Sequence, residues 1–132
     1  MKGAMNPIPG LDRPMNQIDV EHHGDVCCIR LRKRELGEGD LHQFSSEVNH
    51  LIQDGNCRKM VLCLGPDGPL CLYSIFLAKL VSIQRHLNEA GGEFKLAHVS
   101  PEIYKIFEAC KLQSLFQFCP DLNSAIAEFA KS

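Results

Sequence analysis

The feature that most constrains the fold is an alternation of short apolar runs with segments that have helical spacing. Four runs have the length and composition of buried strands, at residues 25–32, 59–64, 94–99 and 115–119. Each is followed by a segment whose apolar residues recur every three or four positions, which is typical of an amphipathic helix. Strands joined by helices pair in parallel through right-handed crossovers, so these segments predict a parallel α/β sheet.

One more strand precedes these runs. Residues 17–21 also read as a strand, and His23-Gly24 supplies a short turn before the run at 25–32. A tight turn joins strands that pair antiparallel. The predicted order is therefore β-β-α-β-α-β-α-β-α, an α/β fold in which a small mixed sheet of about five strands is covered by about four helices.

Three of the predicted helices begin with an N-cap signal. Asp40, with Gln43 three residues later, matches a capping box. Ser100 stands before Pro101, and proline is favoured at the first position of a helix. Asp121 precedes the last apolar stripe and is predicted to cap the final helix.

The chain length fits one domain preceded by a short arm. Residues 1–16 contain Pro7, Pro9 and Pro14 and show no hydrophobic periodicity, so we predict an extended N-terminal arm. The remaining residues, 17–132, are predicted to form a single domain with one hydrophobic core.

Charge and cysteine content narrow the setting in which the protein works. The net charge of −2 argues against non-specific binding to nucleic acid or to an anionic membrane. No apolar run approaches the ~18 residues of a membrane span, so no membrane insertion is expected. The seven cysteines include no Cys-x-x-Cys pair, and we expect all of them to be reduced thiols in a cytoplasmic protein.

The other polar clusters do not predict an active site. His42 and His50 are eight residues apart, not the four that a shared metal ion on a helix requires, so no metal is expected. The basic residues at 30–34 are followed by acidic ones and are predicted to be a solvated strand end. No pair of carboxylates and no nucleophile with a base stands at catalytic spacing, so we predict no enzymatic activity and no cofactor.

Several segments, in this order and spacing, resemble the STAS family, the sulphate-transporter and anti-sigma-factor-antagonist domains. The resemblance covers about residues 17–131, most of the chain. Two segments are the most characteristic, Gly-Gly-Glu-Phe-Lys-Leu-Ala at 91–97 and Ser-Pro-Glu-Ile-Tyr-Lys-Ile-Phe-Glu-Ala-Cys-Lys-Leu at 100–112. The likeness is greatest to stand-alone bacterial anti-sigma factor antagonists, which implies their fold and a protein partner.

One motif of that family is degenerate in this sequence. Members usually carry Asp-Ser-Ser-Gly-Leu-Gly where the third strand meets its helix, and a partner kinase phosphorylates the second serine. Counting back from Gly91-Gly92 places the acceptor at Ile75, with Ser74 as a possible substitute. Counting forward from the strand places it at Tyr73 instead. In either register the aspartate and the acceptor serine are absent.

The resemblance implies that the partner is a GHKL-type serine kinase that acts as an anti-sigma factor. Because the acceptor serine is absent, we expect binding without the usual serine phosphorylation. The predicted contact surface comprises Pro69, Leu72, Tyr73, Ser74, Ile75, Phe76 and Ala78. Alternatively, Ile75 and Phe76 belong to the core. Two other functions remain open, a transporter subunit that clamps the ATPase of a lipid-type ABC transporter and a module that binds a small ligand.

Overall fold

Five strands form one mixed sheet in the order β1-β2-β3-β4-β5 in a computed structural model that describes residues 15–130. The strands are β1 Ile18–His23, β2 Val26–Leu31, β3 Lys59–Cys63, β4 Glu93–Ala97 and β5 Gln117–Cys119. β1 pairs antiparallel with β2, and every later neighbour pairs in parallel. The predicted mixed sheet of five strands is confirmed.

Four helices connect or follow the parallel strands. They are α1 Glu38–Gln53, α2 Tyr73–Glu89, α3 Pro101–Ala109 and α4 Leu122–Ala130. The predicted order of elements is therefore confirmed. The last predicted strand is shorter than expected, because residues Gln113–Leu115 form a single 3-10 turn before β5 begins.

The two faces of the sheet bury cores of unequal size. The larger core packs under α1 and α2 and includes Phe44, Phe76 and Leu62. The smaller core lies under α4, where Val61 contacts a cluster that contains Phe129. Side chains alternate along a strand, so Leu62 and Val61 of β3 reach opposite faces. This explains why the run is apolar at every position from Met60 to Leu64.

Two of the three predicted N-caps are confirmed and one is wrong. Ser100 accepts the N–H of Ile103 at 3.2 Å and Asp121 accepts that of Ser124 at 2.7 Å, so both of these caps are confirmed. The prediction for Asp40 is wrong, since α1 begins one turn earlier with Gly37 as its N-cap. Asp40 instead accepts the N–H of Gly37 at 2.9 Å, and this bond lowers the pKa of its carboxyl group.

The expectation that all seven cysteines are reduced is wrong for two of them. Cys27 in β2 and Cys57, just before β3, form a disulfide with their Cα atoms 6.4 Å apart. β2 and β3 are parallel neighbours, and this pairing brings the start of β3 beside the start of β2. The bond therefore depends on a contact between residues 30 positions apart, which no local pattern shows. The other five cysteines are free thiols.

A buried glutamate holds the chain where it enters the domain. The two carboxylate oxygens of Glu47 accept the backbone N–H groups of Asn16 at 2.8 Å and Gln17 at 3.0 Å. Glu47 is only 4% exposed, so these hydrogen bonds compensate the cost of burying its carboxylate. The predicted arm thus ends in residues fixed to α1, and its residues 1–14 lie outside the described part of the chain.

Candidate partner-binding surface at the start of α2

The loop between β3 and α2 is held against the segment that follows β2. The N–H of Leu70 donates to the carbonyl oxygen of Arg34 at 2.8 Å, and the N–H of Leu36 donates to that of Leu70 at 3.0 Å. Gly68 has φ +79°, and a Cβ atom there would clash with Cδ1 of Ile103. The positive φ favours glycine here, because a residue with a Cβ atom rarely adopts it, and the loop reaches α2 along a defined path.

Large apolar side chains are exposed where this loop enters α2. Leu70 is 48% exposed and Leu72, the N-cap residue, is 60% exposed. Within α2, Ser74 and Ala78 are exposed and Ile75 is half-buried against the edge of the core. We call these five residues, Leu70, Leu72, Ser74, Ile75 and Ala78, the α2-entry surface.

Leucine is an unfavourable choice for the N-cap of α2. Serine, threonine, aspartate and asparagine are preferred at an N-cap because their side chains accept a hydrogen bond from the first turn. Leu72 makes no such bond and leaves its apolar side chain in solvent. A residue that breaks a local rule without a structural gain is expected at a functional site.

Tyr73 fastens the first turn of α2 to the loop. Its hydroxyl donates to the carbonyl oxygen of Pro69, and its ring lies edge-on to Phe76 with centroids 5.9 Å apart. Burial raises the pKa of the Tyr73 hydroxyl above its usual value. The side chain is half-buried and its hydroxyl is engaged, so Tyr73 has a structural role whether or not a partner touches it.

Two residues of the predicted contact surface are turned inward. Phe76 is 0% exposed and packs on Phe44 with ring centroids 5.9 Å apart. Helical spacing places it on the same stripe as Leu80 and Ile83, which are also fully buried. Pro69 is buried as well. Both side chains are turned away from solvent, so a contact of either one with a partner stays a prediction, and we leave both out of the surface defined above.

The position matched to the acceptor serine lies in the first turn of α2. Tyr73, Ser74 and Ile75 are the first three residues of the helix. The N-terminus of a helix carries unpaired N–H groups and a partial positive charge, which would stabilise a phosphate. Ile75 has no group to phosphorylate, whereas Ser74 has a hydroxyl and is exposed.

A groove with basic walls borders the α2-entry surface. It has a volume of about 200 Å³ and lies between residues 30–34, at the end of β2 and just beyond it, and residues 63–69, at the end of β3 and just beyond it. Asp40 pairs with Lys33 at 3.3 Å, and Asp19 pairs with Arg32 at 3.0 Å. All four basic side chains at 30–34 are exposed, so the prediction of a solvated strand end is confirmed. The groove was missed because it forms from two segments separated in sequence.

Cys71 is not an activated nucleophile. Cys71, beside the α2-entry surface, is partly buried, and this burial raises the pKa of its thiol to about 11. It is therefore a neutral thiol at neutral pH, and the thiolate is the reactive form. Over residues 15–130, no three His, Cys, Asp or Glu side chains are grouped as a metal site. No helix in the same range is both long and apolar enough to cross a membrane.

Comparison with known proteins finds anti-sigma factor antagonists among the similar chains. An anti-sigma F factor antagonist of Paenibacillus polymyxa is 24% identical over 110 residues, which are 83% of this chain and 89% of that protein. A solved anti-sigma-factor antagonist (STAS) domain protein of Planctomyces limnophilus has a TM-score of 0.69 at 22% identity, with 83% of this chain and 96% of that chain covered.

A further solved structure is the Bacillus cell fate determinant SpoIIAA in its phosphorylated form. It has a TM-score of 0.65 at 18% identity and covers 85% of this chain and 98% of its own. At this identity the likeness shows that the fold is shared. The sequence model of the STAS domain matches residues 17–125. The chain therefore belongs to the STAS domain family.

Proposed function

We propose that this protein is a non-enzymatic interaction domain that acts as an anti-sigma factor antagonist. The observation that carries the proposal is the α2-entry surface, where Leu70 and Leu72 are 48% and 60% exposed on a well-held loop and helix start. Exposed apolar side chains grouped in this way are typical of a surface that a protein partner covers. The relative from Paenibacillus polymyxa is named for this activity.

The partner that best fits this function is a GHKL-type serine kinase that serves as an anti-sigma factor. Binding would sequester the kinase and so release a sigma factor. The cycle of release by phosphorylation would be absent, because Ile75 offers no hydroxyl in the first turn of α2. A phosphate adds about −1.5 to −2 charges, whereas an isoleucine adds apolar area to the interface.

Such a partner places the protein in the cytoplasm. Cytoplasmic thiols are kept reduced, so a disulfide between Cys27 and Cys57 is uncommon in that compartment. Both residues are only 3% exposed, and this burial limits the access that thiol exchange requires. We therefore propose that the bond, once formed, persists inside the folded core.

The test is to purify the intact chain from its native cells and to identify the bound proteins by mass spectrometry. We expect a GHKL-type kinase. Incubation of the purified pair with ATP should then give no phosphopeptide from Tyr73–Glu89, the whole of α2. A serine in that helix that accepts phosphate, Ser74 above all, would refute the permanently bound state. Recovery of a transporter ATPase without a kinase would favour the transporter subunit.

A further inference from the structure

The groove beside the α2-entry surface concentrates positive charge on a chain that is negative overall. Its lining carries Arg30, Arg32, Lys33 and Arg34 and a single carboxylate, that of Asp67. The whole chain has a net charge of −2. Opposite charges attract partners over distances of about one Debye length, so this local excess matters more than the net charge.

Two of the four cations are not neutralised. Arg32 and Lys33 are paired with Asp19 and Asp40. Within residues 15–130, Arg30 and Arg34 have no ion-pair partner, and both are exposed. The Nε of Arg34 donates to the carbonyl oxygen of Gly68 at 3.2 Å, which fixes the orientation of the guanidinium. Its terminal nitrogens stay available to an incoming acceptor.

The second unpaired arginine is also held in place. A terminal nitrogen of Arg30 lies 3.1 Å from the Sγ atom of Cys63, a residue that is only 2% exposed. Arg30 and Cys63 are directly opposite each other at the ends of β2 and β3. The two guanidinium groups therefore line the groove from rigid attachment points, and guanidinium groups match carboxylates in geometry.

The volume of the groove limits what can occupy it. Sites that bury drug-sized ligands have volumes of roughly 300–1,000 Å³, whereas this groove has about 200 Å³. A nucleotide would remain largely in solvent. The carboxylate of an aspartate or glutamate side chain fits the space and the charge.

The apolar residues beside the groove indicate where that carboxylate comes from. Leu70 is joined to Arg34 by the backbone hydrogen bond between them, so the exposed leucines continue directly from the basic wall. A free small anion would make no favourable contact with this apolar border. A protein surface would cover both, with an apolar centre and a charged rim.

We propose that the partner inserts an acidic side chain between Arg30 and Arg34 while apolar residues beside it cover Leu70 and Leu72. This inference rests on the proposed function, because it names the chemistry of the same partner. Opposite charges at such a rim chiefly raise the association rate and select the partner. Binding should therefore weaken as salt concentration rises.

The first test uses nuclear magnetic resonance of the full-length labelled protein and does not need the natural partner. The probe is a synthetic peptide in which leucines alternate with glutamates, and the control peptide carries glutamine in place of each glutamate. We expect the acidic peptide to shift the amide signals of Arg34, Gly68 and Leu70, and the control peptide to leave them unchanged.

Two charge-reversal variants and a matched control locate the effect. Arg34→Glu and Arg30→Glu should each weaken binding of the acidic peptide by about tenfold or more. Arg85→Glu makes the same charge change at an exposed residue of α2, about 18 Å along the helix from Tyr73, and should leave binding unchanged. Two separate variants are used so that a folding defect in one does not decide the result.

Three outcomes would overturn the inference. They are no shift with the acidic peptide, equal shifts with the glutamine peptide, and equal affinity for inorganic phosphate, which would make the groove a site for small anions. Capture from native cells then separates the two proposals. A kinase that binds Arg34→Glu as well as the unchanged protein refutes only the acidic contact. Peptide binding without capture of any kinase refutes only the proposed function.

Discussion

Replacing Ile75 with aspartate tests whether the first turn of α2 is an interface or part of the core. Ile75 is half-buried at the third position of the helix, while its neighbour Phe76 is 0% exposed. The two side chains are adjacent in sequence but differ in how deeply they are buried in the core. Their substitutions should therefore have opposite effects on binding and on folding.

The expected change in the free energy of unfolding can be worked out for both residues. Full burial of an isoleucine side chain contributes about 1.5–3 kcal/mol, so the half-buried Ile75 contributes about 1 kcal/mol. An aspartate in the first turn recovers about 0.3–1 kcal/mol through the helix dipole. Ile75→Asp should thus cost less than about 1 kcal/mol, whereas Phe76→Ala should cost about 3–5 kcal/mol.

The assay combines thermal unfolding with a binding measurement. For a chain of this size, about 1 kcal/mol corresponds to roughly 4 °C in the melting temperature. We expect Ile75→Asp to melt within about 4 °C of the unchanged protein and Phe76→Ala to melt at least about 10 °C lower. Calorimetric titration with the captured kinase should show that Ile75→Asp weakens binding by roughly tenfold to a hundredfold.

Two results would refute this reasoning. A loss of melting temperature for Ile75→Asp as large as that for Phe76→Ala would make Ile75 a core residue. An unchanged dissociation constant, with the protein folded, would place the partner on another surface. Ile75→Ser is the matched control, because it removes the same apolar area without adding a charge and should weaken binding less than aspartate.

Three further substitutions have defined outcomes. Leu72→Asp should raise the free energy of unfolding by about 0.5–2 kcal/mol because it supplies the missing N-cap, and it should weaken partner binding; a variant that is more stable and binds normally would contradict an interface role. Glu47→Gln should cost about 1–3 kcal/mol and speed amide exchange at Gln17, since one acceptor of buried N–H groups is lost; unchanged exchange would contradict the contact. Cys57→Ser should lower stability by roughly 3–4 kcal/mol, and reducing the unchanged protein in its unfolded state, where the bond is accessible, should have the same effect, as urea unfolding would show; if this reduction changes nothing, the bond to Cys27 is absent in solution.

The positions of helices and strands along the chain depend on local sequence, and they were predictable. Asp121 and Ser100 cap their helices as expected, because a capping side chain needs only the residues that follow it. Asp40 was misplaced for the same physical reason. At the third position of the helix, Asp40 accepts the N–H of Gly37. An aspartate at the N-cap would accept the N–H of a later residue equally well, so the sequence allows both helix starts.

The composition of the candidate site was only partly predictable. Periodicity alone would have assigned Phe76 to the buried stripe with Leu80, but the match to the family motif drew it into the surface. Leu70 was missed because its exposure depends on the backbone bonds to residues 34 and 36. An apolar residue in a loop rich in glycine and proline was the one available signal.

The order of elements and the mixed sheet were predictable from local sequence, because hydrophobic periodicity and turn residues act over a few positions. The family was recognised from the resemblance of whole segments, such as residues 91–97 and 100–112. The tertiary structure decided everything that joins distant segments. The disulfide connects residues 30 apart, and Glu47 meets Gln17 across the same separation. The basic groove exists only because β2 and β3 end side by side. Such contacts depend on packing, which local patterns do not encode.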